Sequence, residues 1–129
     1  MKKKKVIGKI IIPHGVYPEK YELETVNVLI ENGDVEFILP SRTKGVRNPD
    51  ILYMGLKWEI KCPTGKSKWT INRHFKKASR QSENIIFDSR KIKMPANKVL
   101  SSVKNSFILK NSIKRMKFID KNGKVIDFH

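Results

Sequence analysis

Apolar residues recur along this chain with two periods, which together predict an alternation of helices and strands. Helical spacing marks residues 18–33, 70–82 and 96–109. The first of these has Pro18 at the favoured first helical position and Asn32-Gly33 as a stop. Short apolar runs predict strands at 35–40, 51–53, 58–61, 84–88, 115–119 and 124–128, after an early extended segment at 6–13. This order predicts a single α/β domain with a central mixed sheet flanked by helices.

The first predicted helix carries an acid on its apolar side. Glu22, Val26 and Leu29 follow each other at i, i+4 and i+7, so they share one face, whereas Glu24 falls on the polar side. A carboxylate that faces the sheet costs several kcal/mol unless it is paired or bound to a metal. We therefore predict Glu22, rather than Glu24, as a functional acid. The alternative is that Glu22 only favours the helix N-terminus through the helix dipole.

A predicted hairpin brings three charged residues together. Two short apolar runs flank Met54-Gly55, which is typical of antiparallel strands joined by a tight turn. Side chains alternate along a strand, so Glu59 and Lys61 point to one face and their apolar neighbours to the other. Asp50 stands at the mouth of the first strand, where the hairpin can bring it close to that pair.

Two carboxylates converging with a lysine match the needs of metal-dependent phosphodiester hydrolysis. Carboxylates hold Mg²⁺ through one or two direct bonds and leave positions for water and a phosphate oxygen. The metal activates the water, and a lysine orients it or stabilises developing negative charge. We predict Asp50, Glu59 and Glu22 as ligands of Mg²⁺, or of Mn²⁺ or Zn²⁺, with Lys61 as the catalytic cation. Glu-x-Lys on a strand is also common as a solvated surface pair.

The charge of the chain indicates a polyanionic partner. Lys and Arg number 28 against 12 Asp and Glu, a formal net charge of +16 on 129 residues. The positive electrostatic field of such a chain attracts nucleic acid, and it would also attract an anionic membrane surface. No apolar run is long enough for a membrane span. The lysines that follow Met1 are interpreted as a basic arm rather than a signal peptide, because Lys9 interrupts the apolar stretch and no cleavage site follows.

The second predicted helix carries its own cationic flank. Opposite an apolar face it presents four basic residues: Arg73, Lys76, Lys77 and Arg80. These side chains suit a phosphate backbone, although a solvated helix face would have the same composition. Thr70 and Gln81, near the ends of this helix, are further candidates for the lining of a binding groove. Cys62 is the single cysteine, so an internal disulfide and a cysteine-based zinc site are excluded.

The element order and the motifs resemble a known nuclease superfamily. Helix, strand, strand, strand, helix, strand is the core order of the PD-(D/E)XK, or restriction-endonuclease-like, nucleases. Within it the chain is similar to the CdiA C-terminal tRNA nuclease domain family, over about residues 18 to 128. The resemblance rests on Val35-Glu36-Phe37-Ile38, Pro49-Asp50, Trp58-Glu59-Ile60-Lys61 and residues 80–86. Stand-alone members often have His before the first-helix acid, where this chain has Tyr21.

The resemblance implies a divalent-metal ribonuclease that cleaves tRNA. A cognate immunity protein is a candidate partner, which the sequence by itself does not show. It assigns the first-helix acid to Glu22, the metal acids to Asp50 and Glu59, and the lysine to Lys61. A DNA endonuclease of a mobile element and a non-catalytic nucleic-acid-binding protein remain alternatives. We expect the chain to act in the cytoplasm, as given or as the C-terminal part of a delivered toxin.

Overall fold

The structure is a computed structural model and describes residues 7–129. Within them the chain forms seven strands, three α-helices and one 3₁₀ turn, Ile30–Asn32. The strands are β1 (Ile10–Ile11), β2 (Val35–Phe37), β3 (Ile51–Tyr53), β4 (Leu56–Lys61), β5 (Asn84–Asp88), β6 (Arg115–Ile119) and β7 (Val125–Phe128). The helices are α1 (Lys20–Leu29), α2 (Lys68–Ala78) and α3 (Ala96–Leu109). The predicted basic arm lies outside the described residues.

The strands form one mixed sheet in which they are neighbours in chain order, from β1 to β7. Three pairs are parallel: β1 with β2, β4 with β5, and β5 with β6. The other three, β2 with β3, β3 with β4, and β6 with β7, are antiparallel. Helices α1, α2 and α3 lie in the three crossovers that these parallel neighbours require. The predicted mixed sheet flanked by helices is therefore confirmed.

Side-chain alternation divides the apolar core into two layers. On one side of β5, Ile85 and Phe87 pack with residues of α2 and α3, whereas Ile86 belongs to the other layer, with Val26 and Leu29 of α1. Each fully buried side chain of this size contributes about 1.5–3 kcal/mol. Helix α1 thus covers one face of the sheet and α2 with α3 the other. Within residues 7–129, no helix is long and apolar enough to cross a membrane.

Two predicted helices differ from the observed ones at their ends. Helix α1 begins at Lys20, not at Pro18, because Glu19 is the N-cap and its N–H donates to Glu22 Oε1 at 2.8 Å. The 3₁₀ turn carries the helical segment on to the predicted stop at Gly33. Helix α2 spans Lys68–Ala78 instead of 70–82, since the backbone N–H groups of Gln81 and Ser82 both donate to Ala78 O and close the helix. Helix α3 matches its prediction.

The turn that joins β3 and β4 has the predicted form. Met54 and Gly55 both have positive φ, 51° and 77°, as the two central residues of the favoured type I′ hairpin require. Strand β4 starts at Leu56, two residues before its predicted start, because Leu56 pairs with Tyr53 directly across the turn. From this pair the two strands continue towards Asp50 on one side and Glu59 on the other.

A buried polar contact fastens α1 to the end of β5. The Asp88 carboxylate is 1% exposed and accepts a hydrogen bond of 2.7 Å from Thr25 Oγ1. Arg90 donates to the same carboxylate through Nη2 at 2.8 Å and to Glu24 O at 3.0 Å. Thr25 lies one turn after Glu22, so this contact fixes the part of α1 that carries the predicted acid. Sequence reasoning did not single out either Thr25 or Asp88.

Candidate active site

Asp50 and Glu59 face each other across the hairpin. The ladder between β3 and β4 ends where Ile51 pairs with Trp58, so Asp50 and Glu59 are the residues just beyond that pair, one on each side of the hairpin. The Asp50 N–H donates to Trp58 O at 2.9 Å, and Asp50 Oδ2 accepts the Ile60 N–H at 2.8 Å. The carboxylates of Asp50 and Glu59 lie within hydrogen-bonding reach of each other. The hairpin therefore brings together the two acids that were predicted to share a cation.

The carboxylate of Glu59 is buried, and neighbouring groups stabilise its negative charge only in part. It is 6% exposed, and its Oε2 lies 3.3 Å from Lys61 Nζ. Its Oε1 is buried and has no hydrogen-bond partner within residues 7–129. Burial, followed by the charge of Asp50, raises the pKa of Glu59 to about 8, and Lys61 offsets only part of this rise. Two carboxylates this close both accept hydrogen bonds, so they need either a shared proton or a cation between them.

The first-helix acid reaches the same place. The Glu22 carboxylate lies within hydrogen-bonding reach of Asp50, and burial is the main cause that raises the pKa of Glu22. Glu24 points elsewhere and pairs with Lys91 at 3.0 Å. Between the two acids of α1, Glu22 is therefore the one beside Asp50. Because Glu22 also accepts the Glu19 N–H, it caps the helix and borders the site at once.

Tyr21 borders the same acids and was missed as a site residue. Burial raises the pKa of its phenol to about 12, followed by the charges of Glu22, Asp50 and Glu59. The hydroxyl therefore stays protonated at neutral pH and can donate a hydrogen bond. Its position directly before Glu22 was the available signal, since it stands where relatives often carry another proton donor, His.

Two cavities open at this cluster and share Asn48. Glu59 and Lys61 line a cavity of about 430 Å³ together with Lys77, Arg80 and Gln81. Glu22 and Asp50 line a cavity of about 260 Å³ beside the segment 15–18. Gln81 Oε1 accepts the Asn48 N–H at 3.0 Å, which ties the loop before Asp50 to the residues that follow α2. The acids therefore lie between two openings, one of which has cationic walls.

The remaining predicted residues take different positions. Lys77 and Arg80 line the cationic cavity, whereas Lys76 lines a separate one between α2 and α3, and Arg73 is exposed without lining either. Thr70 does not line the site cavity. It packs against the preceding loop, where a Cβ on Gly65 would come within 2.4 Å of Thr70 Oγ1.

His74 is a second residue that sequence reasoning missed. Its Nδ1 is buried and lacks a hydrogen-bond partner in the part of the chain that the structure describes. Burial lowers the pKa of His74, and the charges of Lys61, Arg73 and Lys77 lower it further. The imidazole is therefore neutral at pH 7, next to the lysine of the candidate site. Its spacing of three residues from Lys77 was the available signal.

The acids present fit a divalent cation. Across residues 7–129, no group of three or more His, Cys, Asp and Glu side chains is placed to hold a metal ion. Mg²⁺ does not require one, because it is usually held by one or two carboxylates and keeps several waters. The orphaned Glu59 Oε1 beside the Asp50 carboxylate is the kind of buried acceptor that such an ion would satisfy. Asp50 and Glu59 are the residues that would hold it, with Glu22 adjacent.

The chain was compared with known proteins. The family model of the contact-dependent growth inhibition CdiA C-terminal domain matches residues 47–125, which include Asp50, Glu59 and Lys61. A solved chain described as "CdiA-CT/CdiI toxin and immunity complex from Burkholderia pseudomallei" has a TM-score of 0.64 and 14% identity, over 94% of this chain and 98% of that one. A search of curated proteins finds no match.

The two matches support different conclusions, one about the fold and one about the family. At 14% identity the solved chain shows that the fold is shared. The family model is matched over more than half of this chain, from the loop before Asp50 through β7's first residue. The chain therefore belongs to the family of CdiA C-terminal domains, the toxin domains of contact-dependent growth inhibition.

Proposed function

We propose that this chain is a divalent-metal-dependent nuclease of restriction-endonuclease-like type that cleaves tRNA by phosphodiester hydrolysis. The observation that carries the proposal is the pairing of half-buried Asp50 with buried Glu59, with Lys61 ion-paired to Glu59, at a cavity with cationic walls. A solvated surface pair would not be 6% exposed at Glu59 or lack a partner for one of its oxygens within residues 7–129.

Each residue has a part in this mechanism. Asp50 and Glu59 would hold the cation, which would supply an activated water and polarise the phosphate. Lys61 stays beside Glu59 and donates to the attacking water or to a phosphate oxygen, where negative charge develops. Lys77 and Arg80, across the cavity, hold neighbouring phosphates by charge. Glu22 lies beside Asp50 on the helix side, and partial burial of the acids would strengthen their hold on an ion.

The proposed substrate rests on the family resemblance, because the chemistry of the reaction does not distinguish RNA from DNA. The resemblance to the CdiA C-terminal tRNA nuclease domain family implies tRNA as the substrate, and the net charge of +16 suits any polynucleotide. A DNA endonuclease is the second candidate, because metal-assisted attack at phosphorus makes no use of the 2′-hydroxyl. We place the site of action in the cytoplasm, where tRNA is found.

An immunity protein is the proposed protein partner. The solved chain with the same fold is described as part of a toxin and immunity complex. By charge complementarity, a partner of this basic chain would present an acidic surface to it. We also propose that the chain acts as one domain, since one sheet runs without interruption from β1 to β7.

The test is cleavage of labelled tRNA and plasmid DNA side by side, with Mg²⁺ or Mn²⁺ and with chelator. Wild type should degrade tRNA faster than DNA, and chelation should stop it. Asp50→Asn and Glu59→Gln should each abolish turnover and retain tRNA binding. Glu24→Gln is the matched control, because Glu24 pairs with Lys91 away from the site. Cleavage of DNA alone would favour the second candidate, and no cleavage with any divalent ion would leave a binding protein.

A further inference from the structure

A second cationic cavity lies at the other end of α2. It measures about 370 Å³ and its walls include four lysines from three segments of the chain: Lys66, Lys68, Lys93 and Lys98. Ser67, the N-cap of α2, and Pro95, the N-cap of α3, also line it. Two helix N-termini, each with unsatisfied N–H groups and a partial positive charge, therefore border the same cavity as the lysines.

The four lysines place positive charge around one cavity, and no ion pair within residues 7–129 neutralises it. All four are exposed, and none forms an ion pair with a carboxylate of residues 7–129. The lining contains no acidic side chain. Like charges this close repel each other, and an anion that enters the cavity removes the repulsion.

The walls of this cavity are held in place by backbone contacts. The Lys93 N–H donates to Gly65 O at 3.0 Å, which joins the loop before α2 to the loop before α3. Gly65 in turn lies so close to Thr70 that an added Cβ would come within 2.4 Å of Thr70 Oγ1. The loop is therefore pressed against the first turn of α2, and the cavity does not depend on freely moving segments.

Trp69 is an independent observation that indicates a nucleic-acid ligand. It lies in the first turn of α2, directly after Lys68, and is 70% exposed. Lys68 Nζ lies 5.9 Å from the centroid of its ring. An exposed tryptophan beside a cationic groove is the arrangement on which bases stack in proteins that bind single strands. An inorganic anion or a buried-core role would leave this ring unexplained.

We propose that Trp69 and the four-lysine cavity form a second polynucleotide contact, which stacks an unpaired base on Trp69 and holds its phosphates among the lysines. The inference rests on the proposed nuclease function and specifies its substrate as a polynucleotide with unpaired nucleotides near the cleaved bond. Paired bases present no free face to stack on, so a continuous duplex would not satisfy Trp69.

The spacing between Trp69 and the candidate site allows a single nucleic-acid strand to contact both. Trp69 and Lys77 lie on the same helix, about 12 Å apart along its axis at about 1.5 Å per residue. A stacked strand advances about 3.4 Å per nucleotide. The base on Trp69 would therefore be at least three to four nucleotides from the phosphate held at Lys77, since the two residues also differ by about 80° around the helix axis. The proposed substrate has an unpaired stretch of at least that length, such as a loop or a free end.

The test measures binding without cleavage, with the full chain carrying Asp50→Asn. Fluorescence anisotropy would compare a labelled single-stranded oligoribonucleotide with a blunt RNA duplex at several salt concentrations. Trp69→Ala should weaken single-strand binding about five- to a hundredfold and duplex binding little. Trp69→Phe should restore part of the loss, because phenylalanine also stacks. Ile108→Ala is the matched control, since Ile108 is 71% exposed on α3.

A second variant tests the cavity. Replacing the four lysines with glutamine should reduce the salt dependence of binding by about one unit of log-log slope for each phosphate that the variant no longer binds. Unchanged single-strand affinity in both variants would overturn the proposal and leave this surface to a protein partner. Equal reductions for single strand and duplex would also overturn it, because base stacking would then have no part.

The two proposals fail separately. If wild type cleaves tRNA but Trp69→Ala binds single strands normally, the contact proposed here is wrong and the nuclease function stands. If wild type cleaves nothing but Trp69→Ala loses single-strand binding, the contact stands and the nuclease function is wrong.

Discussion

Asp50 Oδ2 accepts the backbone N–H of Ile60 at 2.8 Å, so the neighbour of Glu59 on β4 holds the Asp50 carboxylate in place. The bond keeps two acids close although their charges repel each other. It also uses only one oxygen of Asp50, which leaves the other free to bind an ion. The hairpin thus arranges the pair before any cation binds, and a preorganised site of this kind loses little free energy to rearrangement.

The proton on Glu59 should compete with a divalent cation. Burial and Asp50 raise the pKa of Glu59 from 4.5 to about 8, so its neutral form favours the folded state. This contribution to stability is present below the unfolded pKa and is lost as the pH rises towards 8. In chelator, Glu59→Gln should therefore raise the melting temperature at pH 8 and change it little at pH 5. Mn²⁺ should raise the melting temperature of wild type at pH 8 but not that of Glu59→Gln, as measured by thermal unfolding. An equal rise in both would mean that the ion binds elsewhere.

Lys61 should matter for turnover more than for binding. Lys61→Ala should reduce the rate of tRNA cleavage by about two to three orders of magnitude, the usual loss when one preorganised transition-state group is removed. The affinity for tRNA should change little, because one lysine among many carries a small share of the electrostatic attraction. Single-turnover kinetics would separate the two quantities. Lys57→Ala is the control on the same strand, and an equal loss there would contradict a specific role for Lys61.

The contact between Thr25 and Asp88 should support stability above acidic pH. Burial raises the pKa of Asp88, but hydrogen bonds from Arg90 and Thr25 lower it further than burial raises it. A lowered pKa gives stability that is present above the unfolded value and lost as the pH falls through the folded one. At pH 7, Asp88→Asn should cost about 1–3 kcal/mol in the free energy of unfolding. Urea denaturation would measure it, with the exposed Asp127→Asn as control, and a stability equal to wild type would refute the role.

The four basic residues of the cationic flank of α2 should contribute unequally to tRNA binding. Lys77 and Arg80 line the site cavity, whereas Arg73 and Lys76 do not. Neutralising Lys77 and Arg80 together should reduce the log-log salt slope of tRNA binding by about two units. The same change at Arg73 and Lys76 should reduce it less. Anisotropy titrations in the Asp50→Asn background would compare the two pairs, and equal effects would mean that the backbone runs along the whole helix surface.

Several features of the site follow from local sequence rules. Glu59 and Lys61 share a face because side chains alternate along any strand, and the measured distance of 3.3 Å between their charged atoms confirms that prediction. The turn at Met54-Gly55 sets the register up to the pair of Ile51 and Trp58, and Asp50 and Glu59 are the next residues on either side of the hairpin. Helix α3 and strand β5 have the predicted bounds, because a long periodic segment and a continuous apolar run leave little ambiguity.

What the sequence by itself determined was the element order, the hairpin and the acids that the hairpin carries, since each depends on residues only a few positions apart. The tertiary structure placed Glu22, the acid that the helical periodicity favoured over Glu24, beside Asp50. It alone decided that Lys77 and Arg80 line the cavity while Arg73 and Lys76 do not. It also brought Tyr21 and His74 to the site and joined Thr25 to Asp88. Those relationships depend on how α1 and α2 are rotated and placed against the sheet. Their placement is set by packing between residues far apart in the chain, which no local periodicity encodes.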